Sequence, residues 1–242
     1  MVNTENNSTI LSVDTTDDKG SVAVFKGNKL LYSNKNLDNN RQAEQLVLYI
    51  ELALSQAKIN YEDLSSLAVV VGPGSFTSIR IGIATIRGIA LALNIPIEGI
   101  SVFELYMLTF LPQLHKSKDS NGLKNTKNII VILDAARDNL YIQVFSLTGE
   151  KIKEAAFIKN SELLSYLAPY KGYVIGNCNH NITSYLQDKI DDFMLENILV
   201  ENRAVAAGFA AMSDYKKNTY NSAVSPLYIR DVNAVKLPKP SF

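Results

Sequence analysis

The chain has 242 residues, enough to bury about three quarters of the surface that its unfolded form exposes, in one large domain or two smaller ones. Lys and Arg number 24 and so do Asp and Glu, so no whole-molecule field recruits nucleic acid or an anionic membrane, and any contact with RNA is local or shared with a partner. The single cysteine, Cys178, excludes an internal disulfide and suits a reducing cytoplasm.

Residues 1–8 carry neither the positive segment nor the apolar core of a signal peptide, which gives a cytoplasmic expectation. Residues 9–13 predict a strand running into Asp14-Thr15-Thr16. An alternating second strand at 21–25, a Gly27-Asn28 turn and a third strand at 29–33 complete a meander. A helix follows over 41–57, then an apolar, β-branched strand at 67–71. Gly72-Pro73-Gly74-Ser75 then reverses the chain, because the two glycines permit angles that a Cβ forbids and the proline fixes one φ between them. Ser75 or Thr77 caps the helix predicted over 77–93. An open turn of this kind can hold an anion, but no Walker lysine follows these glycines, and a structural turn is the favoured reading.

The helix behind the turn is apolar on nearly every face between Ile79 and Leu93, which predicts burial all round, within the domain or under a partner. Ala84, Gly88 and Ala92 form a smooth stripe at which a second helix can approach closely. Ser101 and Glu104 have capping-box spacing and open one more helix. The uncharged run 64–79 is interrupted by the glycine turn and is shorter than the roughly 20 residues of a membrane span, so no membrane is expected.

Residues 115–128 are polar and basic and mark a lobe boundary. Lys116, Lys118, Lys124 and Lys127 read as a solvated linker because no aromatics interleave with them. The pattern then repeats: a strand at 129–133 runs into Asp134-Ala135-Ala136, a second strand covers 140–145, Thr148-Gly149 turns, and a third strand covers 151–157. A helix at 161–167, a strand at 173–175, a helix at 181–187, a strand at 198–200 and a helix at 203–216 follow, and residues 226–230 and 237–242 read as a tail laid over the surface. The fold expectation is therefore α/β: two duplicated lobes with mixed β-sheets and flanking helices, at 1–114 and 129–242, joined by 115–128.

Two three-stranded lobes, each led by a strand-end aspartate, describe the actin-like (RNase H-like, ASKHA) architecture of nucleotide enzymes. The turns here are poor phosphate cradles. Asp17 and Asp18 add like charge after Asp14, offset only in part by Lys19 and Gly20, and the turn after Asp134 lacks glycine. Asp14 and Asp134 thus read as turn residues rather than metal ligands. The glycine-containing segment 174–179 reads equally as a base-binding loop or a strand-to-helix turn. His115 and His180 are the only histidines and lie 65 positions apart, so no helical metal-binding pair forms, and Ser75 is not in a G-x-S-x-G setting. No catalytic, cofactor-binding or metal-binding residue is expected.

The glycine-turn segment 72–82, the strand-end segment 10–16, the helix start at 41–46 and residues 226–230 together resemble the TsaB (YeaZ) family of bacterial tRNA threonylcarbamoyladenosine biosynthesis proteins. That resemblance implies a non-catalytic relative of the transferase TsaD that pairs with it. Helped by the ATPase TsaE, such a complex moves a threonylcarbamoyl group onto the adenosine beside the anticodon of tRNAs reading codons that start with A. Ser78 stands where the family usually has glycine and Gln42 where it often has histidine. On this reading Gln42, Leu46, Ile50, Ala53, Ala84, Gly88 and Ala92 form the contact with the catalytic relative, or with a second copy when it is absent. tRNA is met only through the complex. An ATP-dependent sugar or acid kinase of the same fold is the alternative.

Overall fold

A computed structural model describes residues 8–17, 19–38, 42–116, 127–135, 137–177, 186, 193–213 and 224–229. Strands β1 (Thr9–Asp14), β2 (Lys19–Lys26) and β3 (Lys29–Asp38) form an antiparallel meander. Helix α1 (Gln42–Ala57) leads to β4 (Ser66–Val70), and α2 (Phe76–Leu93) leads to β5 (Ile97–Ile100). After α3 (Val102–Lys116), strands β6 (Asn128–Asp134), β7 (Asn139–Ser146) and β8 (Lys151–Lys159) repeat the meander, followed by α4 (Leu163–Leu167), β9 (Gly172–Gly176), β10 (Phe193–Leu195) and α5 (Arg203–Met212).

The two five-stranded sheets have the same order, β3-β2-β1-β4-β5 and β8-β7-β6-β9-β10. In each, the first three strands run antiparallel and the last two lie parallel to the leading strand. Asp14 pairs with Ser21 and Asp134 with Leu140, so both aspartates occupy the last paired position of a leading strand. The duplicated α/β expectation holds.

Both faces of each sheet are covered, so alternate residues of one strand enter different cores. Ile10, Ala23, Phe25, Ala68 and Val70 face a core between the sheets, where α3 and α5 lie with Ile129, Val131 and Leu133 of β6. Leu11, Val13, Val22, Val24, Leu67 and Val69 face the outer layer of α1 and α2. The capping box at the start of α3 is formed: Ser101 N–H donates to Glu104 Oε2 at 2.7 Å and Glu104 N–H to Ser101 Oγ at 3.2 Å. Lys151 of β8 reaches Glu104 at 3.4 Å, tying α3 to the second sheet. Helix α5 crosses back to the first sheet, where Ser12 Oγ donates to the Ala204 carbonyl at 2.7 Å and Ala204 N–H to Ser21 Oγ at 3.1 Å.

The structure corrects several expected elements. No strand forms at 198–200: Ile198 drops into the inter-sheet core, Leu199 is exposed, and β10 makes the sheet edge instead, in parallel register with β9. Strand β5 was not expected, because four residues containing Glu98 and Gly99 carry little strand signal. The helix expected at 161–167 begins as a 3-10 turn and becomes α-helical only at Leu163. Except for Leu186, the helix expected at 181–187 lies outside the described residues, as do most of the 115–128 linker and residues 237–242.

Within the chain itself, the helix behind the glycine turn is buried on one side only. Ile79, Ile83, Ile86 and Ala90 form the one stripe of α2 that reaches the core, while Ala84, Gly88, Leu91 and Ala92 stay exposed. One sheet can cover only one side of a helix, so apolar residues on the other sides are left open. By length and composition α2 is apolar enough to cross a membrane, but its inward stripe is packed in the first lobe.

Candidate functional site

The Asp14 carboxyl is fully buried at the end of β1. Its Oδ1 accepts from Thr16 N–H at 2.8 Å and from the Thr16 hydroxyl at 2.6 Å, closing a local turn. Arg203 at the start of α5 donates to Thr16 Oγ1 at 2.9 Å and lies 3.7 Å from an Asp17 oxygen. Among the described residues Asp14 Oδ2 has no hydrogen-bond partner. Burial pushes the Asp14 carboxyl above the usual carboxylate range, with Arg203 pulling it part of the way back. Its counterpart Asp134 is exposed, and its N–H donates to Asn177 Oδ1 at 3.0 Å, so the segment after β9 caps the second turn.

The glycine turn closes onto the Asp14 turn. Ser75 N–H donates to the Thr16 carbonyl at 3.2 Å and Thr15 Oγ1 donates to the Ser78 carbonyl at 2.7 Å. A Cβ at Gly74 would collide with the Thr16 carbonyl oxygen, and one at Gly82 with Thr15 Oγ1. Gly72 has φ +117°, which explains glycine there. Its carbonyl accepts from Val102 N–H at 2.7 Å, and Leu227 N–H donates to Val71 O at 2.8 Å. Ser75 caps α2, and Ser78 fits without strain on the cap because its hydroxyl donates to Ser75 Oγ at 2.9 Å. The four residues Gly72, Pro73, Gly74 and Ser75 form a joint between α2, the first acidic turn and the strand ends.

The outward side of α1 and α2 has a different character. Leu46, Ile50 and Ala53 are fully buried in the lobe's own core, and the exposed large apolar residues of α1 are their neighbours Val47, Leu48 and Leu52. The side chain of Gln42 lies outside the described residues. Ala84, Gly88 and Ala92 do line an open groove of about 380 Å³, together with Val47, Tyr61 and Leu93. Among the described residues, nothing beyond the helix's own neighbouring backbone lies within 4 Å of where a Gly88 Cβ would stand. Leu91, at 85% exposure, and Leu48, at 62%, lie elsewhere on the same two helices. Full burial of Leu48, Leu52 and Leu91 is worth roughly 1.5–3 kcal/mol each, the scale required to offset the ~4–15 kcal/mol of freedom lost on association. The face therefore has the chemistry of a docking surface.

Among the described residues no group of three or more His, Cys, Asp or Glu side chains is placed to hold a metal. The side chains of His115, Cys178 and His180 lie outside them. Sequence reasoning missed Arg203 and Tyr228, whose contacts with Thr16 and Arg80 span more than 140 positions and leave no local signal.

A family model for TsaD, the tRNA N6-adenosine threonylcarbamoyltransferase, matches residues 38–236. The tRNA threonylcarbamoyladenosine biosynthesis protein TsaB of Buchnera aphidicola subsp. Schizaphis graminum is 40% identical over 96 residues, covering 40% of this chain and 45% of the relative. The TsaB of Buchnera aphidicola subsp. Acyrthosiphon pisum is 29% identical over 132 residues, covering 54% and 55%. The chain spans about half the length of these curated relatives. YeaZ from Pseudomonas aeruginosa, 17% identical, superposes with a TM-score of 0.64 over 91% of this chain and 99% of that one, and so shares the fold.

Proposed function

The chain belongs to the TsaD family, and from that premise we propose that it serves as a non-catalytic partner subunit in the transfer of a threonylcarbamoyl group to tRNA. The observation that carries this reading is the closed joint. The glycine turn, the segment best suited to an anion, is bonded to the first acidic turn through Ser75 N–H and Thr15 Oγ1, with the Thr16 carbonyl filling the space beside Gly74, while the second acidic turn carries no glycine and its Asp134 N–H is taken by Asn177. An open backbone nest is what phosphate binding uses, and this joint spends its groups internally. The buried Asp14 carboxyl serves the same turn.

The apolar α1/α2 face supports the second half of the proposal, docking to a TsaD-like catalytic subunit or to a second copy of the chain when that subunit is absent. In this reading Ala84, Gly88 and Ala92 are the floor of the contact with Val47, Tyr61 and Leu93 around them, and the exposed Leu48, Leu52 and Leu91 of the same helices add apolar area. Gln42 opens α1, and Leu46, Ile50 and Ala53 support the contact from within. A TsaE-like ATPase completes the machinery, tRNA is met through the assembled complex, and the assembly works in the cytoplasm. The kinase alternative needs a phosphate cradle where the joint is closed.

Reconstitution tests the reading: the chain alone, then with a TsaD-like protein from the same organism, is given threonylcarbamoyl-AMP and unmodified tRNA. Modified nucleoside is expected only in the mixture, and product from the chain alone overturns the proposal. Calorimetry of the isolated chain with Mg-ATP is expected to give a Kd no tighter than about 1 mM, and a micromolar site would favour the kinase.

A further inference from the structure

Arg80 is an exposed arginine that the fold holds still. Helical side chains lean toward the N-terminus, so the guanidinium of Arg80 falls on Phe76, one turn back, with Cζ 3.8 Å from the ring centroid. From 148 positions away, the Tyr228 hydroxyl accepts a hydrogen bond from Arg80 Nε at 2.7 Å. The Tyr228 ring lies 5.1 Å from that of Phe76, tilted by 32°, and its backbone is anchored next door by Leu227 N–H on the Val71 carbonyl. Fixing a long side chain normally costs conformational freedom at the moment of binding, and here that cost is met in folding.

With Nε occupied by Tyr228, the fork of the guanidinium is the part left to a ligand, and among the described residues no carboxylate pairs with Arg80. Helix α2 has no acidic residue, and its other charge, Arg87, is exposed as well. An oxyanion is therefore the complementary group. The two rings decide which kind. Phe76 is 37% exposed and Tyr228 44%, and a protein carboxylate would use the fork and leave both rings idle. A nucleotide uses both, phosphate on the fork and base on an aromatic face. In a chain with no net charge, a local contact of this kind is the one available to RNA.

We propose that Phe76, Arg80 and Tyr228 form a pre-organised contact for an unpaired nucleotide of tRNA bound to the assembled complex, an inference that rests on the partner-subunit reading above. The experiment measures tRNA affinity against salt for the chain assembled with its TsaD-like partner, using an unmodified tRNA that reads a codon starting with A. Arg80→Ala is expected to weaken binding about tenfold and to lower the slope of log K against log salt by about one, while co-elution with the partner is unchanged. Arg80→Lys should keep the slope but lose part of the affinity, because the charge remains and the fork does not. Tyr228→Phe, which unpins the guanidinium and keeps the ring, should fall between wild type and Arg80→Ala. Wild-type affinity and slope in the Arg80→Ala complex overturn the proposal. So does loss of co-elution with the partner, which would make Arg80 an anchor for a carboxylate of the partner protein. A wild-type complex that transfers the group but is insensitive to all three variants refutes this contact alone, whereas a wild-type mixture that neither assembles nor transfers refutes the functional reading with it.

Discussion

Replacing Gly88 by leucine puts an isobutyl group into the groove that the docking proposal assigns to a partner. In the isolated chain the new side chain meets open space, since among the described residues no atom beyond the helix's own neighbouring backbone lies within 4 Å of the Cβ position. Glycine costs a helix interior ~0.8–1 kcal/mol relative to a good helix former, so the folded monomer should gain about that much. For a chain of this length the gain corresponds to a rise in Tm of about 2–4 °C. Association should move the other way. Overpacking a closely fitted contact costs about 1–3 kcal/mol, which weakens pairing roughly 5- to 150-fold. The paired assays are melting of the isolated variant at a concentration where the wild type is monomeric, and titration of the variant against the TsaD-like subunit. A Tm many degrees lower would mean that the seam is internal, and normal pairing with a raised Tm would mean that the partner docks elsewhere. Gly88→Ala separates the two effects, because it takes the propensity gain with little added bulk.

Gly74→Ala should do the reverse of Gly88→Leu: its Cβ collides with the Thr16 carbonyl, so a loss of ~1–3 kcal/mol is expected in chemical denaturation, and a wild-type midpoint would show that the joint is loose. Asp14→Asn should change the pH dependence of stability. Burial raises the carboxyl's pKa in the folded chain, so the folded state holds that proton more tightly than the unfolded state. Wild-type stability from this group is greatest at low pH and falls as pH rises from the unfolded value of about 3.9 through the higher folded value. The asparagine variant lacks that fall, so denaturation midpoints of the two proteins should diverge between acid and neutral pH. Parallel curves would show that Asp14 is ionised at no cost.

How much of this was legible in the sequence depended on whether the signal was local. The repeated meander was, because the Asp14 and Asp134 turns stand 120 positions apart with the same strand spacing on either side, and the sheets then paired in the same order. The capping box of Ser101 and Glu104 was, because both partners lie within one turn. The facing of α1 was not: Leu46 and Val47, or Leu52 and Ala53, are adjacent apolar residues, and only the position of the sheet decides which is buried. Nor was the return of α5 to the first sheet, where Arg203 meets Thr16 and Ala204 meets Ser12. Residues 224–229 likewise come back to the first lobe through Val224, in the outer core, and Leu227 on Val71.

These long-range returns bear on how the face works. The N-terminus of α2 is fixed by Thr15 and Thr16, and the strand end before the glycine turn by Leu227 N–H on the Val71 carbonyl, while the same helix carries Ala84, Gly88 and Ala92 outward. A rigid helix transmits a tilt at its first turn to its far end, about 27 Å away at 1.5 Å per residue over its 18 residues. The joint between the glycine turn and the Asp14 turn is thereby placed to set the angle at which the apolar seam of the proposed contact meets a partner. On this argument Thr15→Val, which removes the hydroxyl donated to the Ser78 carbonyl, should lower affinity for the TsaD-like subunit although Thr15 lies well away from the groove. If its pairing is unchanged while stability falls by the ~1–3 kcal/mol of a lost buried hydrogen bond, the joint holds the lobe together and leaves the docking angle to other contacts.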